Sequence, residues 1–159
     1  MRRLARVLAV ILGVILLVSL LAYRRLVSEN DGIAKATQAM EAGELDAAAR
    51  LLDQVLAGDP DNSAALLQRG QLARQVGEFS ESLQFLARIP DEPAAFGSQA
   101  RCFVGLTYLE LDRARDAERA LLAAIGLDSN NLAAREALLS LHSLQLRDTA
   151  IRLQLRAIG

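Results

Sequence analysis

The sequence predicts an all-α chain, a solenoid of stacked helix-turn-helix repeats preceded by a membrane-spanning helix. Two observations predict the repeats. The stretch Gly43 to Asn62, GELDAAARLLDQVLAGDPDN, returns in pattern downstream at a spacing of about 34 residues, and a period in this range marks stacked helical repeats. Within each copy the apolar residues recur at intervals of three and four, the spacing of one face of a helix. A third observation predicts the leading span: Val7 to Ala22, VLAVILGVILLVSLLA, carries no charge.

In the first copy Ala48, Leu52, Val55 and Leu56 share one stripe. Gly43 stands where a helix closes in a left-handed turn, and Asp59-Pro60-Asp61-Asn62 cannot continue a helix. The next copy turns at Gly77-Glu78-Phe79, with Ser82, Leu86 and Ile89 on the stripe. The third turns at Asp112-Arg113-Ala114, with Ala117, Leu121, Ala124 and Ile125 on the stripe, and closes at Leu127-Asp128-Ser129-Asn130-Asn131. Three units follow one another: 29–62, 63–97 and 98–131, of 34, 35 and 34 residues. Pro90 cuts the last helix of the second unit short, with Pro93 following, so the junction is expected to bend or loosen the stack.

These residues resemble the tetratricopeptide repeat family over roughly residues 29–159. In the third unit Val104, Gly105 and Tyr108 match the family's L-G-x-x-Y, and Ala117, Leu121 and Ser129 stand at its later Ala, aromatic and Pro places. Gly70, Ala73 and Ser82 do so in the second unit, and Ala36, Ala39, Ala48, Leu52 and Pro60 in the first. The chain departs from the pattern at its seventh place, Lys35 and Arg69, and at its fourth, Gly32, Leu66 and Arg101. The resemblance implies a right-handed α-solenoid. Leu132 to Gln145, with Leu138, Leu139 and His142, repeats the first-helix pattern. A second helix is expected from the cap Asp148 through Ile151, Leu155 and Ile158, so that 132–159 forms the terminal cap of the stack. Arg135, Arg147, Arg152 and Arg156 against Glu136 and Asp148 make this cap locally basic, which reads as a solvated face.

Residues 1–28 form an anchor and short linker in this reading. The apolar run is preceded by Arg2, Arg3 and Arg6 and followed by Tyr23, Arg24 and Arg25. Its 16 residues reach about 24 Å as a helix, and Leu4, Tyr23 and snorkelling arginines extend it toward the roughly 30 Å of a bilayer core. A cleaved secretory signal is the competing reading, but Ser19-Leu20-Leu21-Ala22-Tyr23-Arg24 has no A-x-A-like pair. The expectation is a single-pass membrane protein using the membrane as a partner through residues 4–23. The arginine bias places the repeats on the exported, periplasmic or extracytoplasmic side. Ser28-Glu29-Asn30-Asp31-Gly32 reads as the linker.

Charge and composition narrow the partners. The chain has a net charge of −1, but all of the basic side chains before Ser28 lie in the leader, leaving 13 basic against 19 acidic residues beyond it. Nucleic acid is a poor partner for such a surface, because phosphate binding needs basic clusters. With 4% aromatics and no Trp, the core must be Leu, Ala, Ile and Val.

No constellation for chemistry is present. Catalysis needs convergent titratable groups, metals need several ligands, and nucleotides a glycine-rich turn. His142 is the single histidine and reads as a packing residue; Cys102 is the single cysteine and allows no internal disulfide. The sequence therefore predicts no enzyme, no cofactor, no metal and no small-molecule substrate.

What the resemblance implies instead is a peptide-binding groove lined by first helices. Carried onto this sequence, the lining is Ile33, Thr37 and Met40; Leu67, Gln68, Gln71 and Arg74; and Gln99, Cys102, Phe103, Leu106 and Leu109, with Ser140 and Ser143 extending it. Leu67 and Cys102 stand where the family's carboxylate clamp places lysines, so an apolar or amphipathic segment of a protein partner is the expected ligand. Two classes stay open: a membrane-anchored scaffold that binds a partner protein for assembly or holding, and a structural subunit that stacks on itself or on a larger complex.

Overall fold

The structure, a computed structural model, describes the backbone of residues 2–158 and the side chains of residues 11–23, 27, 31–147, 149 and 151. Among the described residues there are only helices: α1 (Arg2–Glu41), α2 (Leu45–Gly58), α3 (Ser63–Gln75), α4 (Phe79–Ala87), α5 (Ala94–Glu110), α6 (Ala114–Leu127) and α7 (Leu132–Ile158). They fall into two compact units, residues 1–55 and 56–159.

The first unit holds α1 and most of α2. Its buried residues are alanines on α1, Ala36 and Ala39, and one alanine with two larger residues on α2, Ala48, Leu52 and Val55. Gly32 belongs to this packing. A Cβ there would lie 2.6 Å from Val55 Cγ2, so a bare α-carbon is what lets the valine approach. The expected linker at residues 28–32 is accordingly helical. No proline interrupts the stretch, and α1 runs through it unbroken for 40 residues.

The membrane reading is overturned. Among the described residues no helix is long and apolar enough to cross a membrane. The single-pass anchor, the membrane partner through residues 4–23 and the exported location of the repeats lose their support. Arg2, Arg3, Leu4, Arg6, Arg24, Arg25 and Ser28 to Asn30, which that reading also used, lie outside the described side chains.

In the second unit α3 packs on α4, α5 on α6, and α6 on α7, while α3, α5 and α7 also touch in succession. Two layers result, with first helices on one side and second helices on the other. The packing follows from the sequence stripe: Ser82 and Leu86 of α4 with Ile89 just beyond its end, and Ala117, Leu121 and Ala124 of α6, are buried. They close on glycines. A Cβ on Gly70 would sit 2.7 Å from Leu86 Cγ, and one on Gly105 2.7 Å from Leu121 Cγ.

One turn chemistry serves every helix pair. Gly43 (φ 78°), Gly77 (φ 84°) and Asp112 (φ 56°) adopt the left-handed conformation, open to glycine and tolerated by Asp. Each is followed by an N–H that reaches back five residues: Glu44 to Ala39 O at 2.8 Å, Glu78 to Ala73 O at 2.8 Å, and Arg113 to Tyr108 O at 2.9 Å. The last carbonyls of the first helices are thereby satisfied. Asn62 and Asn131 start the next helices by accepting from Ala65 N and Ala134 N, each at 3.0 Å.

Two junctions differ from the sequence expectation. After Pro90 the chain does not loosen: Arg101 binds Asp91 at 2.8 Å, and Gly97 lies so close to Asp91 O that a Cβ would be 2.4 Å away. The turn expected at Leu146-Arg147 is absent, and α7 is one helix of 27 residues. Nothing between Leu132 and Ile158 is Gly or Pro, so nothing stops it. Asp148, Arg152, Leu155, Arg156 and Ile158, assigned to the second capping helix, lie outside the described side chains.

Candidate binding face

Helices α3 and α5 touch, and two residues of the expected lining, Arg74 and Phe103, meet there. Arg74 ties the two helices: its guanidinium lies 6.0 Å from the centroid of the Phe103 ring and its Nη1 is 3.7 Å from Glu110 Oε1. Gln71 and Gln68 precede Arg74 at three-residue intervals, and Gln99 stands four before Phe103, so they share these sides of their helices. Gln68, Gln71, Phe103 and Leu109 are half-buried and Gln99 is exposed. The face is one of amides, a phenyl ring and a single arginine.

Three expected lining residues sit lower. Leu67 and Cys102 are buried, and Leu106 packs against the cluster of Cys102, Leu121, Ala124 and Ala134. Leu67 and Cys102 thus contribute to the core between helices instead of an open surface. Burial pushes the Cys102 thiol above its ordinary range, with the charge of Arg74 opposing. Ser140 and Ser143 are exposed on α7, where Ser143 Oγ donates to Ser140 O at 2.8 Å. Ile33, Thr37 and Met40 lie on α1 in the other unit, each half-buried, with Thr37 Oγ1 donating to Ile33 O at 3.0 Å.

Other residues have structural occupations. His142 Nε2 lies 2.9 Å from Glu118 Oε1, as befits a residue at a helix contact. Among the described residues no group of His, Cys, Asp and Glu could hold a metal ion. Beneath the face, Thr107 Oγ1 donates to Phe103 O at 2.7 Å and lies 3.4 Å from Ser82 Oγ, so the buried hydroxyls are satisfied. Arg69, at a place where the family has a large apolar residue, spans two partners that no local pattern reveals: its guanidinium lies 4.9 Å from the Phe85 centroid and 3.3 Å from Glu81 Oε1. An aromatic and an acid on the next helix were the available signal.

A family model described as tetratricopeptide repeat matches residues 39–101. The TPR domain of Sgt2 from Aspergillus fumigatus superposes with a TM-score of 0.69 at 18% identity, over 77% of this chain and 82% of that one. The fold is that of a tetratricopeptide repeat. The TPR domain of Arabidopsis OM64 is similar at a TM-score of 0.65 and 15% identity, covering 75% of this chain and 98% of that one. So is the first TPR of Spaghetti (RPAP3), solved bound to the HSP90 peptide SRMEEVD, at 0.65 and 16% identity, over 75% and 94%. No curated protein sequence matches the chain. Repeats of this fold place α3, α5 and α7 in one layer, the layer that carries the face described above.

Proposed function

We propose that the chain is a scaffold for protein-protein interaction, and that an apolar or amphipathic segment of its partner lies along α3 and α5. The observation that carries this reading is the composition of the face: Gln68, Gln71, Arg74, Gln99 and Phe103 offer amides for a peptide backbone and a ring for an apolar side chain. Interfaces favour such aromatic and arginine anchors. The bound peptide in the first TPR of RPAP3 supports peptide recognition by this fold. The chemistry here is different from a carboxylate clamp, because the clamp's lysine places are Leu67 and Cys102, both buried.

Fluorescence anisotropy with two labelled peptides tests it: an amphipathic Leu-rich helix former and the acidic peptide SRMEEVD. The amphipathic peptide should bind, and Phe103→Ala should weaken it by about tenfold or more. Preferential binding of the acidic peptide, or binding indifferent to Phe103, would defeat the assignment.

A further inference from the structure

The last helix leaves a leucine stripe open. Leu132, Leu139 and Leu146 follow one another at seven-residue intervals, so they lie along one line of α7 with only a slow drift, and they are 67%, 70% and 70% exposed. Leu139 stands at the repeat position held by Gly70 and Gly105. There the glycines seat Leu86 and Leu121 of the following helix at close range. A leucine fills that seat, so a helix packed in the manner of α4 or α6 cannot occupy it. What can is a helix alongside that sets its own leucines between these.

We propose that this stripe pairs with the same stripe of a second copy of the chain, α7 against α7, antiparallel about a two-fold axis between residues 142 and 143. Leu139 then meets Leu146 of the second copy and Leu146 meets its Leu139, the self-complementary arrangement a two-fold interface requires. Charge selects the same pairing. Glu136 and Arg147 lie on one flank of the stripe, both exposed, and neither has an ion-pair partner among the described residues. Antiparallel helices bring like flanks together, so Glu136 of each copy, level with residue 149 of the other, comes within two residues, about 3 Å along the axis, of its Arg147. On the other flank His142, Gln145 and Thr149, with Leu146 of the stripe, line a shallow open depression. Three leucines on one helix make a small contact beside the roughly 800 Å² per partner of a standard interface. The dimer is therefore weak and concentration-dependent. It does not rest on the peptide-binding face of α3 and α5.

Sedimentation velocity of the full chain over a concentration series tests it. The wild type should shift from monomer to dimer as concentration rises. E136R alone and R147E alone each set like charges against one another and should each raise the dissociation constant by about fivefold or more. An equimolar mixture of E136R and R147E should recover dimer, as should the double variant E136R/R147E, with circular dichroism unchanged throughout. A chain that stays monomeric, or a dimer indifferent to both reversals, or reversals that weaken it without recovery in the mixture, would each overturn the proposal.

Discussion

A Cβ on Gly105 would lie 2.7 Å from Cγ of Leu121. The bare α-carbon of α5 is the seat into which the fully buried leucine of α6 fits, and this single contact sets how closely the two helices of the third repeat approach.

Opposite errors of volume at this contact should both cost stability. Leu121→Ala empties the seat and should destabilise by about 2–5 kcal/mol. Gly105→Ala overfills it and should cost about 1–3 kcal/mol. Combined, they should cost less than their sum, because the alanine methyl then occupies space the leucine has vacated. Arg119, on the exposed face of α6 and paired with Asp116, provides the control: Arg119→Ala should leave the urea midpoint almost unchanged. Additive losses in the double variant would contradict the contact.

Asn131 joins two repeats through one side chain. Its Oδ1 accepts from Ala134 N at 3.0 Å at the start of α7, while its Nδ2 donates to Ser98 Oγ at 2.9 Å on α5. Ser98 in turn donates to Ala124 O at 2.9 Å and is buried. Asn131→Ala removes the cap and a partner of a buried hydroxyl, and should cost about 1–3 kcal/mol in chemical denaturation. Asn131→Asp keeps the capping oxygen and should recover part of that loss.

The buried thiol should be silent at neutral pH. Desolvation raises the Cys102 pKa in the folded state, and the thiolate is the reactive form. Ellman's reagent should therefore label the protein only after denaturant is added. The raised folded value also fixes a sign. The unfolded thiol ionises near pH ~8.5, so the stabilisation is complete below that pH and falls as pH rises toward the folded pKa. Cys102→Ala should flatten this alkaline decline, and an unchanged slope would refute the linkage.

The candidate face was legible in part. Helical spacing is enough to set Gln71 beside Arg74 on α3 and Gln99 beside Phe103 on α5, and the structure brings Arg74 and Phe103 together. Leu67 and Cys102 are positions of the same register, yet they are buried. How deep a residue sits depends on the neighbour across the helix interface, and no spacing rule within one helix contains that neighbour. Arg69 shows the same limit in reverse. A charged residue at an apolar place reads as a defect until Phe85 and Glu81 are beside it.

By itself the sequence determined the local geometry of the repeats. Gly43, Gly77 and Asp112 set the left-handed turns, Asn62 and Asn131 the helix starts, and the apolar stripes the buried faces, because each depends on steric and hydrogen-bonding preferences over a few residues. Only the tertiary structure decided continuity and exposure. Residues 28–32 are polar or glycine, and Leu146-Arg147 is a leucine and an arginine; none forbids a helix, so α1 and α7 run through them. Likewise an uncharged run does not make a membrane span unless the helix bearing it is apolar for long enough. Leu139 is a further case: the sequence matches it to the glycine place of the repeat, yet its side chain fills the seat that Gly70 and Gly105 leave for a leucine, and it is exposed.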